Sequence, residues 1–287
     1  MKDVEAVAER IKKLEIQGAT SVALSALEAV KGFAERNPEK SVEEAVNKLL
    51  ETRPTEPLMI NTLNYLKYLD RGRVSHQTGE FVKYIQDGMK RVVEIGANLI
   101  QDGMVVQTIC HSQTVVDVLL KARNDGKRVR AVNTETRPRY QGRKTAEELY
   151  KGGVPVEHYV DSAMMKAMKD NQIDLCLIGL DAIFMDGSIM NKIGSGLLAI
   201  AAESMSIPLY ACGLSLKFDK DSLFAKNVEI EERDPREVWD YPVQTHNPAF
   251  ELVPAKRLTG IVTEAGVFPP AVAGYEIMQK HPHLFKT

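Results

Sequence analysis

Two polar residues that could carry acid–base chemistry follow apolar segments typical of strands. Cys110 comes directly after residues 104–109, and Asp181 comes directly after the nearly continuous apolar run from Leu175 to Leu180. A cysteine near a helix N-terminus can act as a base or a nucleophile through its thiolate, although most free cysteines are small buried hydrophobes. An aspartate at a strand end can transfer a proton, although it can also simply cap a helix. Position alone leaves both alternatives open for each residue.

Amide and cationic side chains that suit a phosphate follow the same kind of strand end. Asn191 and Lys192 stand at the expected start of a helix, and helix N-termini attract anions. Four cations, the first of them Arg137, lie in the loop 137–144, and Lys217 follows another strand. Ligands of open α/β sheets bind beyond the carboxyl ends of the strands, so these groups predict a phosphate site. The alternative is an ordinary solvated surface.

The elements that must position these groups change character near residue 100. Residues 1–97 carry apolar side chains at helical spacing, such as Val4, Ala8 and Ile11, and predict a series of helices. Strands then alternate with helices, which predicts the α/β class. We expect a helical N-terminal domain over residues 1–99 and a Rossmann-like, doubly wound parallel-sheet domain over residues 100–287. The second domain is expected to carry most of the active site. The expected strands are 104–109, 129–133, 156–160, 173–180, 208–212 and 258–263; the expected helices among them and after them are 115–122, 146–152, 163–168, 192–205 and 271–280, with a charged loop over 228–236.

Composition and charge exclude several classes of protein. The 287 residues are 44% hydrophobic and 26% charged, and a net charge of −2 argues against bulk nucleic-acid binding. No apolar run approaches the roughly 18 residues of a membrane span. The cysteines Cys110, Cys176 and Cys212 lack metal-ligand spacing, so we expect no metal site, no disulfide framework and a cytoplasmic location. No glycine fingerprint for a dinucleotide follows a strand, and we expect no cofactor.

Several motifs around these positions resemble the superfamily of aldose-1-phosphate isomerases. They are Glu15 to Ala19, Glu51 to Pro54, Cys110 to Ser112, Thr134 to Gly142, Gly179 to Asp181, Asp186 with Gly187, Asn191 to Ser195, Asn247 to Phe250 and Ile261 to Pro270. The superfamily includes methylthioribose-1-phosphate isomerase, ribose-1,5-bisphosphate isomerase and the regulatory alpha, beta and delta subunits of initiation factor two-B. The resemblance covers nearly the whole chain and is strongest to the ribose-1,5-bisphosphate isomerases.

The resemblance implies roles for individual residues. Cys110 matches the catalytic cysteine and Asp181 the catalytic aspartate, a pair that the regulatory subunits usually lack. Gln17 replaces the usual arginine and Gln113 a common lysine, which removes two positive charges, while Leu180 replaces a small alanine and adds bulk beside the site. The positions that match bisphosphate-binding residues are Gln17, Gly18, Ala19, Thr20, Arg53, Ser112, Gln113, Thr114, Asn191, Lys192 and Lys217.

The reaction that the resemblance implies is the aldose–ketose isomerisation of ribose 1,5-bisphosphate to ribulose 1,5-bisphosphate in nucleoside monophosphate (AMP) salvage. A 1-phosphorylated furanose cannot open its ring spontaneously because its anomeric oxygen is blocked, so a general acid and a general base are needed. We expect Asp181 to be the acid, kept protonated by apolar neighbours. We expect Cys110 to be the base, with a thiolate favoured by the helix N-terminus and nearby cations.

Two other functions also fit the resemblance. One is an isomerase for another ribose-1-phosphate derivative, such as methylthioribose 1-phosphate. The other is a non-catalytic binding protein, like the regulatory initiation-factor subunits, that senses a small phosphate and docks a partner. Retention of Cys110 and Asp181 favours an enzyme, whereas Gln17 and Gln113 slightly favour the rivals. The resemblance also implies a homo-oligomer, a dimer or a hexamer, whose ligand is a small sugar bisphosphate. From the net charge and the short apolar runs we expect neither nucleic acid nor a membrane as partner.

Overall fold

A computed structural model describes residues 1–224 and 230–282, so residues 228 and 229 of the expected charged loop lie outside the described residues. The described chain confirms the predicted α/β class, because helices form its first hundred residues and a mostly parallel sheet with helices follows. None of its helices is both long enough and apolar enough to span a bilayer. No three His, Cys, Asp or Glu side chains converge within the described ranges as a metal site would require.

The N-terminal segment folds as helices whose apolar stripes face one another. In the first helix Val4, Ala8 and Ile11 are buried, because helical geometry brings every third or fourth side chain to one face. The fourth helix begins at Pro57, whose fixed φ and missing N–H suit the first turn. The helices are α1 Lys2–Lys12, α2 Ala19–Arg36, α3 Glu43–Leu50, α4 Pro57–Lys67 and α5 Arg71–Leu99.

Strands and helices alternate through the rest of the described chain. The strands are β1 Val105–Thr108, β2 Arg130–Thr134, β3 Val156–Tyr159, β4 Leu175–Gly179, β5 Ala182–Ile183, β6 Ile189–Lys192, β7 Leu209–Cys212, β8 Phe250–Val253, β9 Gly260–Thr263 and β10 Gly266–Phe268. The helices are α6 Gln113–Asn124, α7 Gln141–Lys151, α8 Met164–Asn171, α9 Ser195–Ser204 and α10 Pro270–Lys280. The six strands expected from sequence are thus present, each with slightly different bounds.

The order of the main sheet places a topological switch point between β1 and β4. The order is β10-β9-β7-β4-β1-β2-β3, and all neighbours are parallel except β9 and β10. From β1 the chain proceeds outward through β2 and β3, then returns to the other side of β1 as β4 and continues through β7 and β9. This reversal is the doubly wound topology, in which ligands bind at the switch point. Cys110 follows β1 and Asp181 follows β4, so both leave the sheet there.

The main sheet is buried on both faces. Neighbouring residues of β1 belong to different apolar clusters, Val106 to the one that also contains Val4 of α1 and Val105 to the one on the opposite face. The N-terminal helices and the sheet therefore share a core. Cys176 and Cys212 are buried inside their strands, which confirms that they behave as small hydrophobic residues.

A smaller antiparallel sheet, β5-β6-β8, corrects one prediction. Asn191 and Lys192 do not begin a helix: both lie in β6, and α9 begins at Ser195. The cause is a turn at Asp186 and Gly187 that joins β5 to β6, with Gly187 at a φ of +80°, which glycine adopts without steric penalty. β6 also pairs with β8, so a strand ladder satisfies the backbone groups that a helix would otherwise have satisfied.

Candidate active site

Cys110 has an uncommon backbone conformation that two threonines hold in place. Its φ is +58°, in the left-handed region that residues other than glycine rarely adopt. The Cys110 N–H donates to Thr136 Oγ1 at 2.8 Å, and Thr145 Oγ1 donates to the Cys110 carbonyl at 2.7 Å. Such backbone strain persists only where the surroundings impose it, and it is concentrated at functional sites. The conformation therefore supports a functional role for Cys110.

The Cys110 thiol is buried in a mixed charge environment. Burial raises its pKa to about 11, although Lys192 and Arg233 act to lower it; Asp181 raises it further. The expected preference for the thiolate is therefore wrong for this structure, because the loss of hydration outweighs the cations. The same influences show that Asp181, Lys192 and Arg233 lie close enough to Cys110 to affect its ionisation.

Asp181 is half-buried at the junction between β4 and the β5–β6 hairpin. Its N–H donates to the carbonyl of Met190 at 2.8 Å, which ties the aspartate to the hairpin. The preceding carbonyl, that of Leu180, accepts from Lys217 Nζ at 2.6 Å. The Leu180 side chain is 2% exposed and packs on Gly213, where a Cβ would lie 2.8 Å from it. The core beside Gly213 therefore accommodates the extra bulk of Leu180.

The segment after β1 and strand β6 meet at Gly179, the last residue of β4. A Cβ at this position would lie 2.6 Å from Ser112 Oγ and 3.8 Å from Asn191 Oδ1. The missing side chain of Gly179 thus leaves room for Ser112 at the sheet edge. Asn191 Nδ2 donates to Ser195 Oγ at 2.9 Å, which fixes the amide beside the start of α9. Ser112 and Asn191 are therefore brought to the switch point.

Lys192 places a largely desolvated cation near the thiol. Its Nζ lies 4.4 Å from the centroid of the Phe250 ring, a contact that attracts the ammonium to the ring face. Burial lowers the pKa of Lys192, and Arg233 lowers it further, whereas Cys110 and Asp181 raise it. In surroundings of low dielectric constant, such a cation attracts a phosphate or a thiolate more strongly than it would in water.

Lys217 is fixed by an N-terminal helix. It is buried in a 3-10 turn over Ser215–Lys217. Asn61 of α4 is also buried, and its Nδ2 donates to the carbonyls of Leu216 and Phe218, both at 2.8 Å. These hydrogen bonds hold the backbone on both sides of Lys217. The helical half of the chain thereby positions a cation beside the segment that carries Asp181.

Two buried arginines flank one carboxylate. Glu231 Oε2 lies 3.4 Å from Arg53 Nη2, and Glu231 Oε1 lies 3.2 Å from Arg233 Nε; both arginine side chains are 10% exposed. Arg53 Nε and Arg233 Nη1 are buried without a hydrogen-bond partner in the part of the chain that the structure describes. Buried N–H groups normally have partners, so these donors point to a ligand rich in acceptors.

Glu56 joins this cluster from the loop before α4. It is 3% exposed, and its Oε2 lies 3.4 Å from Arg53 Nη2, while its Oε1 has no hydrogen-bond partner among the described residues. Burial, followed by the charges of Asp181 and Glu231, raises the pKa of Glu56 to about 7, whereas Arg53 and Lys217 act to lower it. Glu56 therefore exchanges its proton near neutral pH and is close enough to Asp181 to respond to its charge.

Sequence patterns do not single out Glu56, Glu231 or Arg233. An acidic residue at a helix start usually serves the helix dipole, and a charged loop is usually a solvated surface. Only the folded structure shows that these residues belong to the site. The Arg233 N–H donates to the carbonyl of Asn247 at 3.0 Å, and the Ala249 N–H donates to the carbonyl of Glu231 at 2.8 Å. Residues 247–250, one of the motifs that carry the resemblance, thus hold this charged loop in place.

Some predicted phosphate-binding residues lie at the N-termini of helices. Gly18, at a φ of +84°, is the N-cap of α2, with Ala19 and Thr20 in its first turn; Gln17 Nε2 donates to the carbonyl of Leu14 at 2.7 Å. No hydrogen bond or ion pair between described residues joins this segment to Cys110 or Asp181. At the start of α6, Ser112 is the N-cap, Thr114 is buried, and the exposed Gln113 donates to Asp117 at 2.9 Å. The phosphate-binding roles of these residues stay predictions.

Arg137 is exposed and engaged by its own surroundings. Its guanidinium contacts the hydroxyl of Tyr140 and donates to the carbonyl of Val238 at 3.3 Å. Other cations of the loop pair with carboxylates: Arg139 with Glu237 at 3.2 Å, Arg143 with Glu135 at 3.3 Å and Lys144 with Glu148 at 3.7 Å. Much of the charge expected to attract phosphate is therefore balanced locally. A binding role for Arg137 stays a prediction.

Comparisons with known proteins match nearly the whole chain. Residues 15–270 match the model of the initiation factor 2 subunit family. The chain is 34% identical, over 296 residues, to a ribose 1,5-bisphosphate isomerase of Archaeoglobus fulgidus, and the match covers 98% of this chain and 94% of that protein.

Solved structures of two functional classes share the fold. A translation initiation factor eIF-2B of Pyrococcus horikoshii superposes with a TM-score of 0.83 at 28% identity, covering 93% of this chain and 97% of that one. A 5-methylthioribose 1-phosphate isomerase of the same organism superposes with a TM-score of 0.80 at 28% identity, covering 99% of this chain and 87% of that one. The fold alone therefore does not separate an enzyme from a binding subunit.

Proposed function

This chain belongs to the initiation factor 2 subunit family, and we propose that it is a sugar-phosphate isomerase that converts ribose 1,5-bisphosphate to ribulose 1,5-bisphosphate. The observation that carries the proposal is the 34% identity, over 98% of the chain, to a ribose 1,5-bisphosphate isomerase. The positions of Cys110 and Asp181 support it, since both residues follow strands that flank the switch point.

The first step that the site has to perform is opening of the sugar ring. The phosphate on C1 prevents spontaneous opening, so the bond between C1 and the ring oxygen breaks only as that oxygen gains a proton. Asp181 donates this proton from its carboxyl group. The electron pair of the broken bond stays on the oxygen, which becomes the C4 hydroxyl, and the phosphate ester oxygen shares the positive charge left on C1.

The second step moves a proton from C2 to C1. Cys110 removes the C2 proton as the thiolate, the minor form of this buried thiol at neutral pH, and the released electron pair forms a double bond between C1 and C2. The thiol then returns its proton to C1, while the Asp181 carboxylate takes the proton of the C2 hydroxyl, whose oxygen becomes the ketone. Both residues end in their starting state. Lys192 and Arg233, which favour the thiolate against burial, stabilise the base form.

The cations of the site support a substrate with two phosphate groups. Arg53, Lys192, Lys217 and Arg233 are all largely buried, and Arg233 supplies a positive charge in a chain that lacks those at positions 17 and 113. Buried arginines bind phosphate through paired N–H donors. In this proposal the helical domain, residues 1–99, contributes Arg53, and the domain of residues 100–287 contributes the other cations. The remaining contacts come from Gln17, Gly18, Ala19, Thr20, Ser112, Gln113, Thr114, Arg137 and Asn191.

The proposal includes a cytoplasmic homo-oligomer with a small-molecule ligand. Leu197 and Ile200 on α9 and Leu252 on β8 are large apolar side chains that are 52%, 48% and 42% exposed. α9 packs beside β8, so these side chains lie on neighbouring elements. Exposed apolar surface of this kind is typical of association surfaces. Sedimentation of the purified protein tests this, because a monomer at micromolar concentration would contradict it.

A conversion assay with matched variants tests the function. Purified wild-type protein, Cys110→Ser and Asp181→Asn are incubated with the alpha anomer of ribose 1,5-bisphosphate, and ribulose 1,5-bisphosphate is followed. Cys212→Ala serves as the matched control, because Cys212 is buried within β7. We expect product from the wild type and the control and a loss of at least a hundredfold in each active-site variant. Wild-type protein that forms no product would refute the proposed substrate.

The same assay separates the alternatives. Methylthioribose 1-phosphate replaces the bisphosphate in a parallel reaction, since a methylthioribose 1-phosphate isomerase shares the fold at a TM-score of 0.80. Turnover of that substrate alone would favour the second isomerase. Turnover of neither, with saturable binding of a sugar phosphate or nucleotide by calorimetry, would favour a binding subunit like the initiation factor.

A further inference from the structure

A buried carboxylate belongs to a motif to which the proposed mechanism gives no role. Glu264 lies in the turn between β9 and β10, within the motif from Ile261 to Pro270. Its side chain is 5% exposed, like that of His281, the residue that follows α10. A carboxylate buried this deeply is costly unless several donors solvate it, so its partners show what it stabilises.

The partners of Glu264 come from α5 and from the turn that carries Lys217. Oε2 accepts from the N–H of Ser215 at 2.9 Å. Oε1 accepts from the hydroxyl of Ser215 and, at 2.7 Å, from the hydroxyl of Tyr84. Ser215 is fully buried and opens the 3-10 turn Ser215–Lys217. One carboxylate therefore fixes both the backbone and the side chain at the start of that turn.

The hydroxyl proton of Ser215 settles which role His281 plays. His281 Nε2 lies 2.6 Å from Ser215 Oγ. Burial acts to raise the pKa of Glu264, but hydrogen bonds from His281 and Ser215 help to lower it to about 2, so Glu264 can only accept at neutral pH. The single hydroxyl proton of Ser215 therefore points to Glu264, and the serine oxygen accepts from the Nε2–H of His281. In a hydrolytic triad the serine hydroxyl donates to the histidine instead, and full burial keeps any substrate away from Ser215.

The turn that is held in this way reaches the proposed acid through Lys217. Lys217 lies two residues after Ser215, and its Nζ donates at 2.6 Å to the carbonyl of Leu180, the residue before Asp181. Asn61 fixes the backbone carbonyls on either side of Lys217, and the buried carboxylate fixes the start of the turn. The position of the ammonium is thus set from two directions.

We infer that Glu264 and His281 are positioning residues for Lys217. Through the N–H and hydroxyl of Ser215 they set where the ammonium meets a phosphate group of the substrate. The inference rests on the proposed function, in which Lys217 binds phosphate. The phosphate groups keep their charge throughout the isomerisation, so a displaced Lys217 weakens binding of the substrate and of the transition state alike. Such a change raises KM and leaves kcat nearly unchanged.

Paired replacements of His281 test this role. Glutamine places an N–H donor near the position of Nε2, whereas leucine fills the space without a donor. We expect His281→Leu to raise KM for ribose 1,5-bisphosphate about three- to tenfold with kcat within about twofold, as loss of one hydrogen bond would, and His281→Gln to recover most of this loss. A merely structural defect would instead lower the apparent kcat through loss of folded enzyme and leave KM unchanged. An unchanged KM in His281→Leu, or equal increases in both variants, would overturn the inference.

The matched control is His76→Leu, which changes a histidine on α5 whose side chain is 78% exposed and should leave KM unchanged. Hydrogen exchange over residues 213–218, read by mass spectrometry, needs no turnover. Glu264→Gln offers one acceptor oxygen where the carboxylate offers two, so this variant and His281→Leu should each exchange about fivefold faster there, whereas the control should not. Exchange as slow as in the wild type in both variants would overturn the inference whatever the activity. Faster exchange in both variants of a protein whose wild type forms no ketose would refute only the proposed function.

Discussion

Replacing Glu56 by glutamine should change how the stability of the protein depends on pH. Burial and Asp181 raise the pKa of Glu56 from the ordinary 4.5 to about 7, so the folded protein binds this proton more tightly than the unfolded chain does. Stability contributed by such a group is fully present below about pH 4.5 and is lost as the pH rises through about 7. Glutamine has nearly the same shape and cannot ionise, so the variant lacks this loss.

The size of the effect follows from the pKa difference. Each pKa unit corresponds to about 1.4 kcal/mol, so a rise from 4.5 to about 7 amounts to about 3 kcal/mol of unfolding free energy. Relative to Glu56→Gln, the wild type should therefore lose about 3 kcal/mol of stability between pH 4.5 and pH 8. Removing the neighbouring charge with Asp181→Asn should reduce this loss, because Asp181 contributes to the raised pKa.

Urea unfolding at a series of pH values from 4.5 to 8 measures the effect. Unfolding free energies of the wild type, Glu56→Gln and the control Glu44→Gln, which changes an exposed glutamate on α3, are compared at each pH, so that all other titrating groups cancel in the differences. The control should follow the wild type throughout. Parallel curves for the wild type and Glu56→Gln would refute the reasoning, since they would mean that Glu56 titrates alike in the folded and unfolded protein.

Three further perturbations test how the site is held. Thr136→Val leaves the buried N–H of Cys110 without its acceptor, so unfolding in urea should show a loss of about 1–3 kcal/mol and kcat should fall; an unchanged kcat would show that the Cys110 conformation does not matter for turnover. Asn61→Ala removes both hydrogen bonds around Lys217, and KM for the bisphosphate should rise several-fold in initial-rate assays, with no change contradicting the positioning role. Burial acts to raise the pKa of Glu264, but hydrogen bonds from neighbouring groups such as Ser215 and Tyr84 lower it to about 2. The stability that ionised Glu264 provides is therefore present above about pH 4.5 and is lost towards pH 2. In urea unfolding, Glu264→Gln should be less stable than the wild type by up to about 3 kcal/mol at pH 7, and this difference should shrink as the pH falls from 4.5 to 3.

The main sheet could be predicted because its signals are local. A continuous apolar run such as Leu175 to Leu180 is typical of a strand buried on both faces, and β4 lies within it. The polar residues after β1 and β4 also could be assigned to one sheet edge, because parallel strands present their carboxyl ends together. Local patterns thus sufficed to place Cys110 and Asp181 in one region of the fold.

The small sheet could not be predicted because its pairing is remote in sequence. Asn191 of β6 pairs with Glu251 of β8, and no pattern near residue 191 indicates this partner. The apolar residues that follow the strand have helical spacing, so the expected helix extended back to Lys192. In the structure Gly194, at a φ of +101°, separates β6 from α9. Local propensity was overruled by tertiary pairing.

The buried cluster of Arg53, Glu56, Glu231 and Arg233 could not be predicted from the sequence for a related reason. Glu56 and Glu231 are ordinary polar residues in their own segments. Glu56 becomes unusual only because Arg53, Asp181 and Lys217 converge on it, and Glu231 only because Arg53 and Arg233 flank it. Burial likewise reversed the expected ionisation of the Cys110 thiol, because the sequence indicates neighbouring charges but not the loss of water around them.

Proton NMR of the reaction in heavy water tests the central claim most directly. Purified wild-type protein is given the alpha anomer of ribose 1,5-bisphosphate, and both the ketose and the deuterium content at C1 are recorded. If Cys110 carries the C2 proton to C1 as proposed, ribulose 1,5-bisphosphate should accumulate with deuterium at C1, because a thiol proton exchanges with the solvent. A spectrum in which the substrate persists unchanged would contradict the isomerase function.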